Sequence, residues 1–260
     1  MTKPILRRYA IAPDVTAFST TRHGGYGTGE YAEMNINRYC GDSEATVAKN
    51  TKALAQELGI APERIIMPHQ THGTEIVQIA KEFLDLKEPV QKMILEGVDA
   101  LMTDQKGVCI GVSTADCIPV LLYDPEHNAA AAVHAGWRGT AKMIAAKAVK
   151  AMQTAYAAKA EDIIAVIGPG ISVDAFEVGD EVYEEFAASG LNMEKISIRK
   201  DKWHIDLPLC NKLQLEGMGL KPCNISDVGI CTYNNAADYF SARRLGTQSG
   251  RIFTGIMLHN

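Results

Sequence analysis

The chain predicts an α/β (α+β) fold: mixed β-sheets flanked by helices. Three observations carry this expectation. β-Branched and alanine-rich runs crowd residues 99–134, helical stretches follow from about residue 140, and the two kinds of element do not alternate in strict βαβ order. At 260 residues, with 47% hydrophobic and 22% charged side chains, the chain has material for one large domain or two small ones. No repeat, low-complexity segment or Pro/Gly/Ser-rich linker divides it, so a single domain over residues 1–260 is expected.

In chain order, the first distinctive segment is the loop Thr21–Glu30, which carries Gly24, Gly25, Gly27 and Gly29. It lacks the Gly-Lys-Ser/Thr of a phosphate-binding loop and reads as a flexible lid or surface turn. Asp99–Thr103, Gly107–Thr114, Ile118–Tyr123 and Ala129–Val133 read as neighbouring strands joined by hairpins, with a turn at Asp124–Asn128. Thr140 reads as the N-cap of a helix running to about Ala158. Ile163–Pro169 resumes as a buried strand. Helices are expected near Gly179–Ala188 and Leu207–Met218, and strands near Ile196–Arg199 and Ile252–Leu258.

Composition excludes several function classes. A formal net charge of −5 with no basic run argues against nucleic-acid binding. The N-terminal residues hold no apolar core that could act as a signal peptide, and no apolar run approaches the roughly 20 residues of a membrane helix. A cytoplasmic protein is expected, with no membrane partner. The six cysteines show no CxxC spacing, so in a reducing compartment they read as buried thiols. Cys117 alone has neighbours that suggest chemistry.

Those neighbours are Thr114-Ala115-Asp116 before it and Ile118-Pro119-Val120-Leu121-Leu122 after it. His134-Ala135-Gly136-Trp137-Arg138-Gly139 and His69-Gln70-Thr71-His72-Gly73 each set a histidine beside small residues. Lacking finger-like spacing, Cys117 and His134 read first as satisfied core residues. Yet one Cys and two His on separate rigid elements suffice for a zinc site with an open position, and zinc removes the cost of a thiolate in apolar surroundings. A helix starting at Thr140 would also favour an anion near Gly139, with Arg138 as a clamp.

These segments resemble the laccase-domain family, also called polyphenol oxidase-like, peptidoglycan editing factor-like or purine nucleoside phosphorylase-like. Supporting pieces run along nearly the whole chain: Phe18–Gly25, Met34-Asn35-Ile36, Asp99–Thr103, Ile167-Gly168-Pro169, Phe176–Gly179, Cys231-Thr232-Tyr233 and Tyr239–Arg244 before Gly250-Arg251. The resemblance implies one α/β/β/α domain holding Zn2+ on His72, Cys117 and His134. It implies phosphorolysis of adenosine, inosine, guanosine and methylthioadenosine, and deamination of adenosine, with a small-molecule nucleoside and phosphate as partners; it sets no oligomeric state. On that reading Cys117, Arg138 and Glu177 are the candidate catalytic residues. Arg22, Asn35 and Arg138 are candidates for substrate or phosphate, while Asp99 and Asp116 are candidates for orienting the histidines. The chain departs from the pattern by an insertion around residues 81–95, placed to alter the pocket rim or an oligomer contact. It also lacks the cysteine-rich run expected after Gly168-Pro169.

Two other functions compete. A cysteine- or zinc-dependent amidase acting on peptidoglycan precursors would use Cys117 with His134 or His72. A copper polyphenol oxidase fits less well: seven histidines without a His-x-His pair are too few for a trinuclear cluster beside a mononuclear site, although copper uptake in vitro is compatible with the donor set.

Overall fold

Three strands, Val98–Thr103, Ile118–Asp124 and Ala129–Ala135, are buried at every position, which requires cover on both faces. In the computed structural model, which describes residues 2–259, they form the middle of a six-stranded mixed sheet. Its order is Ile225–Asp227, Ile164–Ile167, Ile118–Asp124, Ala129–Ala135, Val98–Thr103, Glu75–Gln78. The period-two alternation of strands decides the cover. Ile118, Val120 and Leu122 pack under the helices Ile144–Tyr156 and Leu207–Gly217, whereas Leu121 and Tyr123 face a second sheet.

That second sheet has five strands, ordered Leu6–Tyr9, Val15–Thr20, Ile252–Leu258, Cys109–Thr114, Ile65–Ile66. Ile110, Val112, Ile256 and Leu258 point inward to the first sheet, while Cys109, Phe253 and Met257 point outward to a smaller core. Leu54 of the helix Glu44–Leu58 closes that outer core. The layers therefore run helix, sheet, sheet, helix. A three-stranded sheet, Glu177–Val178, Trp203–Ile205 and Ser197–Arg199, stands to one side. No helix among the described residues is long and apolar enough to cross a membrane.

Alanine is a poor strand former in general, yet Ala129-Ala130-Ala131-Ala132 occupies the heart of the first sheet. The reason is space. Ala131 faces the helix layer and Ala132 the second sheet, and small side chains let both neighbours approach.

Several expectations need correction. Of the runs read as consecutive hairpins, only Ile118–Asp124 and Ala129–Ala135 pair directly through a turn. Cys109–Thr114 belongs to the second sheet, paired with Ile252–Leu258. The helix expected from Thr140 to Ala158 is two helices: Trp137–Ala141, capped by Gly136, and Ile144–Tyr156, separated at Met143 in the left-handed conformation (φ 63°). Thr140 is buried inside the first of these, where its hydroxyl donates to the Ala135 carbonyl and accepts from Asn211. The helix start expected to favour an anion there is accordingly not formed. The Thr21–Glu30 loop is a surface turn and not a lid: a Cβ at Gly25 would sit 2.6 Å from the Met34 Cα, while Thr28, Gly29 and Glu30 are exposed. The 81–95 segment folds as two short helices, Lys81–Leu84 and Glu88–Ile94.

Because Ala132 lies between two sheets with no measurable exposure, Ala132→Leu overfills the layer. A loss of about 1–3 kcal/mol is expected, read as a lower urea midpoint at unchanged slope.

Candidate metal centre

Strand register brings the chemistry to one end of the sheets. The Ile118–Ala135 pair ends the hairpin ladder, so Cys117 and Gly136 follow side by side, with His134 one residue inside. On the other flank Ala100 pairs with Val133, which sets Asp99 opposite His134. Cys117 sits where the chain crosses from the second sheet at Thr114 to the first at Ile118. His72 arrives on a loop after His69, whose N–H donates to the Leu95 carbonyl while its own carbonyl accepts from Gly97. The 81–95 segment thus ends by pinning the loop that carries His72.

The ligand atoms of His72, Cys117 and His134 all lie within 4.8 Å of one another. The imidazoles meet edge to face, with centroids 4.9 Å apart. Gly136 is required beside them: a Cβ there would come 3.2 Å from Cys117 Sγ and 2.8 Å from His72 Cδ2. One soft sulfur and two imidazoles are a donor set suited to a metal ion with an open coordination position.

Asp99 organises this cluster. Its carboxylate, fully buried, accepts from His134 Nδ1 at 2.7 Å and from the backbone N–H groups of Thr71, His72 and Gly73 at 3.3, 3.0 and 2.7 Å. The bond to Nδ1 directs Nε2 toward Cys117 and His72. The N–H bonds hold His72 in the left-handed region (φ 63°), a conformation that costs on the order of 1–3 kcal/mol outside glycine. Burial pushes the Asp99 carboxyl up, but His134 and the N–H donors outweigh it and leave it below the ordinary carboxylate range. Burial likewise opposes a charged Cys117, yet His134 and His72 bring its thiol down to about 6. Burial would depress His134, but Cys117 and Asp99 raise it to about 9. The cluster is electrostatically built for a thiolate.

It opens into a cavity of about 530 Å³. The wall includes Asn37, Tyr39, Gln70, Ser113, Gln248 and Arg251, none of which the sequence reading singled out for a role. Gln70 pairs with the Ser113 backbone in both directions, donating to its carbonyl at 2.8 Å and accepting from its N–H at 2.7 Å. Tyr39 stacks on His69, centroids 4.1 Å apart, and His69 Nδ1 lies 2.7 Å from Glu96. His69 is therefore a neighbour of the cluster and not a member of it.

Most of the other expected site residues stand elsewhere. Arg22 is spent on the Ala32 and Ala236 carbonyls and lies over the Phe240 ring, away from the cavity wall. Asn35 is buried behind the wall, where its amide donates to Asp42 and accepts from the Arg251 N–H. Arg138 is exposed and stacked on its neighbour Trp137. Glu177 is exposed on the side sheet, ion-paired with Lys202 at 2.8 Å. Asp116 orients no histidine: it accepts from Thr232 Oγ1 and the Arg243 N–H, fixing the left-handed turn (φ 83°) before Cys117.

A family model described as multi-copper polyphenol oxidoreductase laccase matches residues 16–259. The chain belongs to this laccase-like family. It is 43% identical over 249 residues to a protein of Bacteroides thetaiotaomicron named purine nucleoside phosphorylase, covering 95% of this chain and 92% of that one. It is 42% identical over 245 residues to adenosine deaminase RL5 of an unknown prokaryotic organism, covering 93% of each. The crystal structure of YlmD from Geobacillus stearothermophilus superposes with a TM-score of 0.89 at 30% identity, covering 99% of this chain and 100% of that one. The layered sheet-and-helix architecture is the one this laccase-like family shares.

Removing the carboxylate should loosen the donor set without emptying it. Asp99→Asn is expected to weaken metal binding by about 10–100-fold, measured by competition with a chromophoric chelator. Gly136→Ala, which places a methyl among all three ligands, should lower bound metal per chain while far-UV circular dichroism stays unchanged.

Proposed function

We propose that this chain is a zinc-dependent purine nucleoside enzyme. It would carry out phosphorolysis of adenosine, inosine, guanosine and methylthioadenosine, together with deamination of adenosine. The carrying observation is the His72–Cys117–His134 donor set opening into a cavity of about 530 Å³, large enough for a nucleoside, in a chain whose relatives are named for both activities. Zn2+ suits the donors better than copper redox chemistry does. This is the sole cluster of three or more metal-competent side chains among the described residues, and a multicopper oxidase needs a trinuclear cluster besides. When bound, Zn2+ supplies a Lewis acid with an open position.

The chain's own residues account for the rest. Asp99 keeps the His134 Nδ1 proton in place, so Nε2 serves as ligand. The stacked Tyr39 and His69 rings offer an aromatic surface at the cavity wall on which a purine can lie. Gln70, Asn37 and Ser113 form a hydrogen-bonded polar wall suited to ribose hydroxyls.

A second reading, an amidase acting on cell-wall precursors with Cys117 as nucleophile, draws support from the thiol brought down to about 6 beside His134. Chelation separates the two. Chromatography with mass detection should find adenine plus ribose 1-phosphate, or inosine and hypoxanthine, from adenosine and phosphate. Both conversions should disappear on dialysis against a chelator, return with Zn2+, and be absent from Cys117→Ala. Zinc-loaded protein without turnover would sink the nucleoside reading; amide hydrolysis that survives chelation would establish the thiol enzyme.

A further inference from the structure

Phosphorolysis needs an oxyanion held in the same cavity as the nucleoside, and Arg22 and Arg138 stand outside that cavity. Among its wall residues Arg251 alone carries a permanent positive charge. Strand register explains the placement. Ile252 pairs with Thr114, so Arg251 comes opposite Ala115, two residues before Cys117, at the same sheet end as the metal-competent cluster. Its backbone is fixed from behind by Asn35, whose Oδ1 accepts the Arg251 N–H at 3.1 Å.

The guanidinium is held rigid but only half used. Nη1 donates to the Ser249 and Gly250 carbonyls at 2.6 and 2.9 Å, and Nη2 donates to the Thr247 carbonyl at 2.9 Å. Those bonds, with a longer one from Nη1 to Ser249 Oγ at 3.3 Å, engage Nη1 fully and Nη2 once, and none of them comes from Nε. Nε–H and the second Nη2 hydrogen have no acceptor among the described residues. No carboxylate among them lies within ion-pair distance of the guanidinium either. Free Nε–H and Nη2–H donors on a charged plane already held by carbonyls suit the oxygens of a tetrahedral oxyanion. An arginine tethered by carbonyls also loses little side-chain entropy when it binds.

We infer that Arg251, through its free Nε–H and Nη2–H donors, binds the inorganic phosphate that phosphorolysis consumes. The inference rests on the nucleoside reading for its ligand and on the fork geometry for its site. In this scheme an oxygen of the hydrogen phosphate dianion attacks the ribose C1′, the C1′–N glycosidic bond breaks, its electron pair leaves with the base, and the base takes up the proton that the phosphate gives up. Arg251 holds two of the other oxygens and is a binding residue only.

The test starts with wild-type, zinc-loaded protein, so that no folding defect intervenes. Arginines are modified with phenylglyoxal and mapped by peptide mass spectrometry, with and without inorganic phosphate. Phosphate should slow Arg251 labelling by about tenfold and leave Arg138 unchanged. Labelling of Arg251 indifferent to phosphate overturns the inference, as does protection by AMP without protection by inorganic phosphate, which would assign the fork to a nucleotide. Calorimetry then compares Arg251→Lys, which keeps the charge but loses the fork, with the exposed Arg138→Gln. Phosphate affinity should fall by about tenfold in the first alone, with the nucleoside KM moving far less than the phosphate KM. Equal affinity in both variants overturns the assignment. If phosphate protects Arg251 but no nucleoside is turned over, the nucleoside reading fails while the anion site stands. If turnover depends on phosphate while Arg251 labelling does not, the anion site fails while the nucleoside reading stands.

Discussion

The Asp99 carboxylate is the constraint on which the site depends. A buried carboxylate must be paired or hydrogen-bonded, and this one accepts from three consecutive backbone N–H groups and from an imidazole. Its partners come from two separate parts of the chain, the His72 loop and the Ala129–Ala135 strand. One side chain therefore sets the His134 tautomer, clamps the loop and stabilises a left-handed backbone that His72 would not otherwise adopt. Satisfying a buried charge and building a donor cluster are here the same act.

The sheets supply the rigidity that makes this useful. His134 and Asp99 stand one residue from the ends of fully buried strands, where ladder register sets their positions, and Cys117 follows the turn that Thr232 and the Arg243 N–H fix at Asp116. His72 comes from a loop, and the bonds from the Thr71, His72 and Gly73 N–H groups to Asp99 tie that loop down. Gly136 leaves the space in which the three metal-competent side chains converge. Across the layer interface, alanines in the Ala129–Ala135 strand let helix and sheet press on it from both sides, so the strand bearing His134 has little room to shift.

Much of the fold was legible in the chain. The runs at Ile118, Ala129 and Ile252 became strands with nearly the expected limits because continuous apolar stretches of that length must be buried on both faces. Partner choice was not legible. Period-two alternation gives the faces of Cys109–Thr114 but is silent on which sheet it joins, and the crossing at Ala115–Cys117 resembles a turn from sequence alone. The helix Glu44–Leu58 is hard to read from the chain, because of Val47, Asn50, Ala53 and Leu54, which share its buried face, two are not large apolar residues. That His72, Cys117 and His134 come together was legible through their small neighbours and the family resemblance. The placement of the arginines was not: nothing local tells that Arg22 is consumed by two distant carbonyls or that Arg138 folds back on Trp137.

The distribution of charge argues for the kind of reaction this cavity supports. The negative Asp99 sits behind His134, fully buried and out of contact with a ligand, whereas Arg251 stands on the wall with half of its fork unspent. A thiol hydrolase acting on a neutral amide needs the Cys–His pair and oriented N–H donors, and gains little from a permanent cation on the wall. A reaction that brings an oxyanion to a neutral sugar needs that cation, because two negative oxygens must lose water on entering and an unpaired anion there would be costly. The metal-competent cluster alone suits either chemistry. On the proposed nucleoside reading, Arg251 gives the incoming phosphate a partner that amide hydrolysis would leave unused.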